Sequence, residues 1–452
     1  QRLLTEHAFA AGRSPESRLL SEPERDLLIR LEMHKCAALD PLMADLGRFG
    51  YAWSHASQMT AEDGFRADVL RTVDLIRGLG ERGQSPDILA PALAALRDGY
   101  GPVAPDGAAL TAALRRTVHD LLVAFPDSLA PGFEGNASAV KAFSDNHRDL
   151  RRAARGDVLE RDWGLWQKLR KLRISMRGAP TPEGYDALAE AVMQAASALP
   201  RHPGPLADAC AHLKALVTGA QQVLEAYQAA KRQAGLIDYS DMIAESEALL
   251  RNRPEILQAV LGEIDCVVID EFQDTNPVQF ALLWRLAQGA KRALIVGDTK
   301  QSIMGFQGAD PRLSEALQTA HPEAVTPLDR NWRSEARIMD LVSGWGGPVL
   351  FDRYDPLTPQ RAATDETALE ILQYPKTRKD TSMQAIANRV TDILDAGTRI
   401  YDKAQKTMRP ARPSDVAVLT YTHAKASAAA AALEAHGLPV RIQQDGWLDA
   451  PA

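Results

Sequence analysis

Cys266-Val267-Val268-Ile269-Asp270-Glu271-Phe272-Gln273-Asp274-Thr275-Asn276-Pro277 is the stretch from which the rest of the chain can be read. Its short apolar, β-branched run between charged residues predicts a buried strand of a parallel sheet, with two adjacent carboxylates, Asp270 and Glu271, at its C-terminal end. Asn276 is placed to cap a helix whose first-turn proline is Pro277, running through Leu282, Leu283 and Leu286 and stopping at Gly289. A second apolar run, Ala293-Leu294-Ile295-Val296, predicts another buried strand, followed by Gly297-Asp298-Thr299-Lys300-Gln301. Strand, helix and strand make one βαβ unit, so the polar residues after both strands emerge on one edge, where open α/β sheets bind ligands.

Such an edge suits nucleotide hydrolysis, because one carboxylate can hold a hydrated Mg²⁺ while its neighbour orients and deprotonates a water. A solvated Asp-Glu pair in a strand-to-helix turn reads the same way in isolation; the wider pattern separates the two. Asp270-Glu271-Phe272-Gln273-Asp274, followed by Gly297-Asp298-Thr299-Lys300-Gln301-Ser302-Ile303, resembles motifs II and III of the UvrD/Rep-like superfamily 1 DNA helicases. Gly235-Leu236-Ile237-Asp238-Tyr239-Ser240-Asp241-Met242 resembles the segment that in this family returns the chain from a helical insertion to the first motor domain. Asp238 and Asp241 also read as helix N-caps, and the two roles are compatible. Leu328-Asp329-Arg330-Asn331-Trp332-Arg333-Ser334 resembles motif IV, with Ser334 placed to cap the helix after it.

The resemblance implies roles residue by residue. Asp270 binds Mg²⁺ through water, and Glu271 is the base that activates the attacking water. Gln301 and Arg333 read the γ-phosphate of ATP, and Trp332 contacts the adenine. Phe306 stacks on a base of the translocating strand; alone it would read as a core residue, just as Arg333 alone would read as a surface ion pair. The family pattern is departed from at Met304, where tyrosine is usual, and at Gln307, where arginine is usual, so position 307 keeps only hydrogen-bonding capacity toward DNA.

Composition bounds the rest. The chain has 452 residues, 45% hydrophobic and 25% charged, the balance of a globular protein with several domains. No apolar run reaches the roughly 18 residues that span a bilayer, so no membrane is expected, and the opening residues do not read as a signal peptide. Cys36, Cys210 and Cys266 lie far apart with no Cys-x-x-Cys pair; thiols in a reducing, cytoplasmic compartment are expected rather than a metal centre. The net charge of -7 argues weakly against nucleic acid, but a helicase needs only a local basic track.

Residues 1–235 read as helical, with three- and four-residue apolar spacing over Pro23–Leu46, Gly64–Leu79, Ala108–Phe125 and Leu206–Gln233. Between Arg148 and Arg177 the basic residues crowd, among them Arg170, Lys171 and Arg173, with Trp163 and Trp166 interleaved. Basic side chains neutralise phosphates and indoles stack on bases. The competing reading is a solvated helix face offset by Asp149, Asp157, Glu160 and Asp162, with both tryptophans packed inward. After Asp310-Pro311, which starts another helix, a second α/β region is expected. Its strands fall at Ala368–Ile371, Val416–Leu419 and Val440–Ile442, and its helices over Met383–Leu394 and Ala424–His436.

The expected fold class is α/β: parallel-sheet RecA-like motor domains with a large all-helical insertion. The domains expected are 1–235 (helical insertion), 236–325 (first motor domain, with motifs II and III), 326–445 (second motor domain, with motif IV) and 446–452 (start of a following region). A phosphate loop G-x-x-x-x-G-K-[ST] is missing, since Gly-Lys occurs nowhere in the chain. The expectation is therefore an internal piece of a longer ATP-dependent helicase acting on single-stranded and duplex DNA, itself hydrolysing little ATP. Phe306-Gln307-Gly308-Ala309-Asp310-Pro311 and the long helical part suit the AddA/RecB-like branch of recombination helicase-nucleases. That branch implies 3′ to 5′ movement, a role in double-strand-break repair, and a second helicase-nuclease subunit as partner. The alternative is a DNA-binding or scaffolding paralogue without catalysis.

Overall fold

The structure is a computed structural model that describes residues 2–12, 14, 16–54, 59–175, 179–345, 354–362, 369–374, 381–402 and 404–442. Arg177, Ala368 and the region 446–452 named above lie outside the described residues, as do the side chains of Phe306 and Gln307. The chain divides into two compact units, Gln1–Val325 and Thr326–Ala452.

The first unit is mostly helical because its apolar residues recur at helical spacing over long windows. One bundle packs the helices Ala108–Ala124, Ala137–Ala153, Trp163–Leu169 and Tyr185–Ala196 around Leu114, Phe143, Trp166 and Val192. A second core joins Glu22–Met33 and Ala61–Gly78 to the C-terminal half of the long helix Pro203–Gln233, through Ile29, Phe65, Val73, Val223 and Tyr227. The segment expected as one helix over Pro23–Leu46 breaks after Met33 and resumes as the short turns Ala37–Leu39 and Asp40–Met43. The long helix links the two cores: at 1.5 Å per residue its 31 residues span roughly 45 Å. Near its start, Asp208 accepts from Trp163 Nε1 at 2.8 Å and from Arg48 Nε at 2.9 Å, tying bundle and second core to the same carboxylate.

At the other end of that helix the backbone turns at Gly235, and Leu236–Ile237 pairs in parallel with Arg18–Leu19. Asp238 then caps the helix Tyr239–Asn252, accepting from Asp241 N while Asp241 accepts from Asp238 N. The predicted capping role of both aspartates is observed.

Strand Cys266–Ile269, helix Pro277–Gly289 and strand Arg292–Ile295 form the βαβ unit, the strands parallel and in register from Cys266↔Arg292 to Ile269↔Ile295. Asn276 caps the helix by accepting from Gln279 N at 2.9 Å, with Gln279 returning the bond to Asn276 N. One face of the strand pair packs Val267, Ile269 and Ile295 against Phe272, Phe280, Leu283 and Ala287. The expectation that both strands are buried is corrected on the other face: Val268 is 66% exposed and Leu294 54% exposed. A parallel strand is covered on both faces only when helices lie on both, and among the described residues this ladder has two strands.

The turn after helix Ala61–Gly78 is wedged against this unit. A Cβ on Gly78 would lie 3.6 Å from Asn276 Cβ, one on Gly80 would lie 2.9 Å from Val278 Cγ2, and Leu75 Cδ2 is 3.8 Å from the corresponding position at Gly308. The helical part thus touches both the cap after the Asp-Glu pair and the loop after the second strand.

In the second unit, strand Arg330–Glu335 pairs in parallel with Thr358–Arg361, and Arg399–Asp402 forms an antiparallel hairpin with Thr407–Pro410 that the sequence reading did not anticipate. The helices Ser382–Asp395 and His423–Glu434 match the expected spans within two residues and are followed by the positive-φ glycines Gly397 and Gly437. The strands expected at Val416–Leu419 and Val440–Ile442 join no ladder among the described residues. Val416, Val418 and Val440 instead pack on the core of Ala387, Val390 and Leu433.

Candidate nucleotide site

The parallel register carries Asp270-Glu271 and Gly297-Asp298 off the same end of adjacent strands. Val296 N donates to Ile269 O at 2.8 Å and Phe272 N donates to Val296 O at 3.0 Å, so the ladder continues one step beyond the strands and fixes the two loops together. Asp270 and Glu271 are both exposed. Asp270 Oδ1 accepts from the backbone N–H of Glu271 at 2.9 Å. Glu271 has φ 51 and ψ 41, the left-handed region, unusual for a residue with a side chain. Strain of this kind collects at functional sites.

Gln273, two residues on, is buried, and its amide bridges the loops: Nε2 donates to Glu271 Oε2 at 2.7 Å while Oε1 accepts from Asp298 N at 2.9 Å. Asp298 Oδ2 accepts from Gln301 Nε2 at 3.0 Å, and its Oδ1 takes Lys300 N at 3.0 Å and Lys300 Nζ at 3.2 Å. Burial alone would raise the Asp298 carboxyl, but the bonds from Gln301 and Lys300 outweigh it and hold the group below the usual aspartate range. Asp298 therefore stays a charged acceptor at neutral pH. Asp270, Glu271 and Gln301 are thus brought to one edge and joined by hydrogen bonds. Sequence reasoning gave no role to Gln273 or Asp298; the signal was that both lie inside the two stretches that resemble motifs II and III.

Beyond Gln301 the backbone makes a tight turn over Met304–Gln307, which carries Phe306 and Gln307. Asp310 follows and caps the helix Pro311–Ala320, as expected, accepting from Arg312 N at 3.1 Å. Asp310 N also donates to Thr275 O at 3.0 Å, stitching this turn to the one after the Asp-Glu pair.

Trp332 and Arg333 lie in the second unit, both exposed, Trp332 at 69%. Ser334, expected to cap the next helix, sits inside the strand, and the helix begins at Ala336. Asn331 Oδ1 does the turning instead, accepting from Arg333 N at 2.9 Å and Ser334 N at 2.7 Å, while Arg361 Nη1 donates to Arg333 O at 2.8 Å. The backbone of Arg333 is held and its guanidinium is left in solvent.

In the helical bundle, Trp166 is corrected as a base-stacking candidate. It is fully buried, and its indole N–H is spent on Leu159 O at 2.9 Å. Trp163 is half-buried, tilted on His202 with centroids 4.9 Å apart. Arg148 pairs with Asp145 at 2.9 Å, Arg152 with Asp162 at 2.8 Å, and Arg161 with Asp157, so much of the basic run is offset as a solvated face would be. Arg170 and Lys171 are exposed and Arg173 is half-buried. Lys171 and Arg173 line an open cavity with Lys168, Asn146, Asp145 and Asp149.

No helix among the described residues is long and apolar enough to cross a membrane, and no cluster of three or more His, Cys, Asp or Glu forms a metal cage among them. Cys36, Cys210 and Cys266 are free thiols.

Residues 187–322 match the UvrD/REP helicase N-terminal domain. The chain is 38% identical over 124 residues to DNA helicase II of Escherichia coli strain K12, covering 27% of this chain and 17% of that protein. It is 28% identical over 264 residues to the RecBCD enzyme subunit RecB of Mycolicibacterium smegmatis, covering 53% of this chain and 23% of the relative. It is 33% identical over 123 residues to the ATP-dependent DNA helicase PcrA of Leuconostoc citreum, covering 27% and 16%. The chain thus spans less than a quarter of the length of each of these relatives. The segment 187–322, which carries the Asp-Glu edge and the Gln301 loop, is thus similar to the N-terminal domain of UvrD/REP helicases.

Proposed function

We propose that the protein is an ATP-dependent DNA helicase that translocates on single strands, and that the edge built by Asp270, Glu271 and Gln301 is where it hydrolyses ATP. The observation that carries this reading is the hydrogen-bonded chain from Glu271 through Gln273 and Asp298 to Gln301, which holds a carboxylate base and an amide sensor at one sheet edge. Such a pair is what phosphoryl transfer to water requires of a protein: a group that orients and deprotonates the water, and donors that meet the γ-phosphate.

The acidic edge fits Mg²⁺. Mg²⁺ keeps much of its water and takes one or two carboxylates plus substrate phosphates, so a single exposed Asp270 with Oδ1 already committed to a backbone N–H is a suitable holder. When bound, the ion would neutralise charge on the phosphates. Glu271 receives the proton of the attacking water, Gln301 and Arg333 donate to the γ-phosphate, and Trp332 lies against the adenine. Phe306 stacks on a base of the strand, with Gln307 bonding beside it. Arg170, Lys171 and Arg173 supply a basic approach for DNA on the helical domain, with the half-buried Trp163 on the same domain as a further contact.

In this reading residues 1–235 form the helical insertion, and 236–325 and 326–445 belong to two RecA-like motor domains. The sequence given holds no Gly-Lys dipeptide, so no lysine of a phosphate loop is supplied by it, and by itself it should turn over little or no ATP. The match to a protein named as a RecBCD enzyme subunit supports membership of a multi-subunit assembly; a recombination and break-repair role, 3′ to 5′ movement, a second helicase-nuclease subunit as partner and a cytoplasmic location belong to the same proposal.

The test is Glu271→Gln in the full-length protein. DNA-stimulated ATP hydrolysis should fall by about 10²–10⁴ while single-strand affinity is kept. Near-normal turnover in that variant refutes the assignment.

A further inference from the structure

Gln273 is 1% exposed, and its side-chain amide is fixed at both ends. A backbone N–H can only donate, so the bond from Asp298 N at 2.9 Å assigns Oε1 to that side and leaves Nε2 to face Glu271 Oε2 at 2.7 Å. The main chain of Gln273 is tied as well, its carbonyl accepting from Ser302 Oγ at 3.4 Å. Glu271, meanwhile, is held in the left-handed region by Phe272 N on Val296 O and by Asp274 N on its own carbonyl, both at 3.0 Å. With Oε2 committed to Gln273, Oε1 is the carboxylate oxygen of Glu271 for which no protein hydrogen bond occurs among the described residues.

We propose that Gln273 is a positioning residue for the hydrolytic base: it grips one oxygen of Glu271, turns the other toward the attacking water, and couples the base through Asp298 to Gln301. This inference rests on the reading of Glu271 as the base and Gln301 as the sensor. Its consequence is mechanical. The chain Glu271, Gln273, Asp298, Gln301 contains three consecutive hydrogen bonds of 2.7, 2.9 and 3.0 Å, so a shift of Gln301 when the terminal phosphate departs is passed to the base rather than absorbed. The close approach depends on Gly297, where a Cβ would come within 2.9 Å of Gln273 Oε1.

The test compares Gln273→Glu and Gln273→Met with wild type and Glu271→Gln, all in the full-length protein with single-stranded DNA. Gln273→Glu keeps an oxygen to accept Asp298 N–H but sets a second carboxylate against Glu271, and two carboxylates so close cannot both ionise. At pH 7 its kcat should fall by about 10² or more with KM for ATP within roughly threefold, and the acid limb of its kcat–pH profile should move up by about one unit or more. Gln273→Met, of similar volume without donor or acceptor, should lose about tenfold in kcat, its acid limb moving up less than that of Gln273→Glu because a donor is lost but no second charge is added. An acid limb unmoved in Gln273→Glu, whether kcat is normal or uniformly reduced, overturns the inference, because a structural role alone would leave it there. If Glu271→Gln is inactive in the same series, that result leaves the hydrolytic site standing; if wild type itself shows no DNA-stimulated turnover, both fall.

Discussion

Lys231 donates to Asp238 Oδ2 at 2.9 Å with its whole side chain out of solvent. The same lysine bonds Asp241, Arg77 bonds both aspartates, and Tyr227 Oη donates to Asp238 Oδ2 at 2.6 Å. Two cations and two anions from the helices Ala61–Gly78, Pro203–Gln233 and Tyr239–Asn252 with its cap therefore neutralise one another where the helical part meets the motif-bearing part. A balanced buried quartet is tolerable; one short of a charge is not. Lys231→Met is expected to cost about 3–5 kcal/mol, because it strands a carboxylate in the interior. Urea unfolding followed by tryptophan fluorescence measures it, and a wild-type midpoint would show that the quartet does not secure this junction.

Two titrations contribute to how the first unit responds to acid. Burial by itself would raise Asp238, but the Arg77 guanidinium, Lys231 and the Tyr227 hydroxyl together hold it well below the usual carboxylate range. The folded pKa is thus below the unfolded one, near 4, so the stability it confers is present at neutral pH and lost as pH falls below about 4. His202 acts earlier. Burial pushes its imidazole down, and its Nδ1 accepts from Gly204 N at 2.9 Å, which requires the neutral ring with Nε2 facing Thr111 Oγ1 at 3.1 Å. Its contribution is present above about pH 6.5 and lost as pH falls through the folded value. Trp163, packed on His202, reports the change. His202→Asn keeps a capping acceptor and removes the titration, so the stability slope between about pH 5 and 7 should flatten in that variant.

Local chemistry was the part of this molecule that the sequence announced. Asn276-Pro277 caps and opens its helix as it spells, Asp310 and Asp238 cap as short acids before helices do, and Gly397 and Gly437 follow their helices at positive φ. What depended on partners distant in sequence was not legible. Gln273 is a relay only because the Ile269↔Ile295 register brings Asp298 N–H beside it. The apolar spellings of Val268 and Leu294 say that a strand wants cover, not that cover is there. Trp163 and Trp166 look alike in the sequence, three residues apart between basic groups; which ring is buried is decided by Leu159 and Asp208, to which their N–H groups donate.

Two glycines test how tightly the loops of the site are built. Gly297→Ala would drive a methyl to within 2.9 Å of Gln273 Oε1 and 3.3 Å of Gln273 N, and the side-chain amide is held at its other end, where Nε2 donates to Glu271. Gly80→Ala would set a Cβ 2.9 Å from Val278 Cγ2 at a residue whose φ is +63. Each is expected to lose about 1–3 kcal/mol of stability. Only Gly297→Ala should also lower DNA-stimulated ATP hydrolysis in the soluble folded protein, since Gly80 lies outside the hydrogen-bonded chain. Equal activity loss in both would point to general loosening of the unit.

In the helical domain the basic and aromatic residues separate cleanly by exposure. Arg170 and Lys171 are exposed on or just beyond the end of the helix that carries the fully buried Trp166. If this face guides the strand, the Arg170→Ala, Lys171→Ala double variant should weaken binding to all single-stranded sequences alike. It should also lower the slope of log affinity against log salt by about 0.7 for each phosphate no longer neutralised. Trp166→Phe should do the reverse, costing about 1–3 kcal/mol in stability through the abandoned bond to Leu159 O while leaving affinity and salt slope alone. Fluorescence anisotropy of a labelled oligothymidine across a salt series reads both. A slope unchanged by removing the two cations takes this face out of the path of the DNA and leaves the basic run as a solvated surface balanced by its own aspartates.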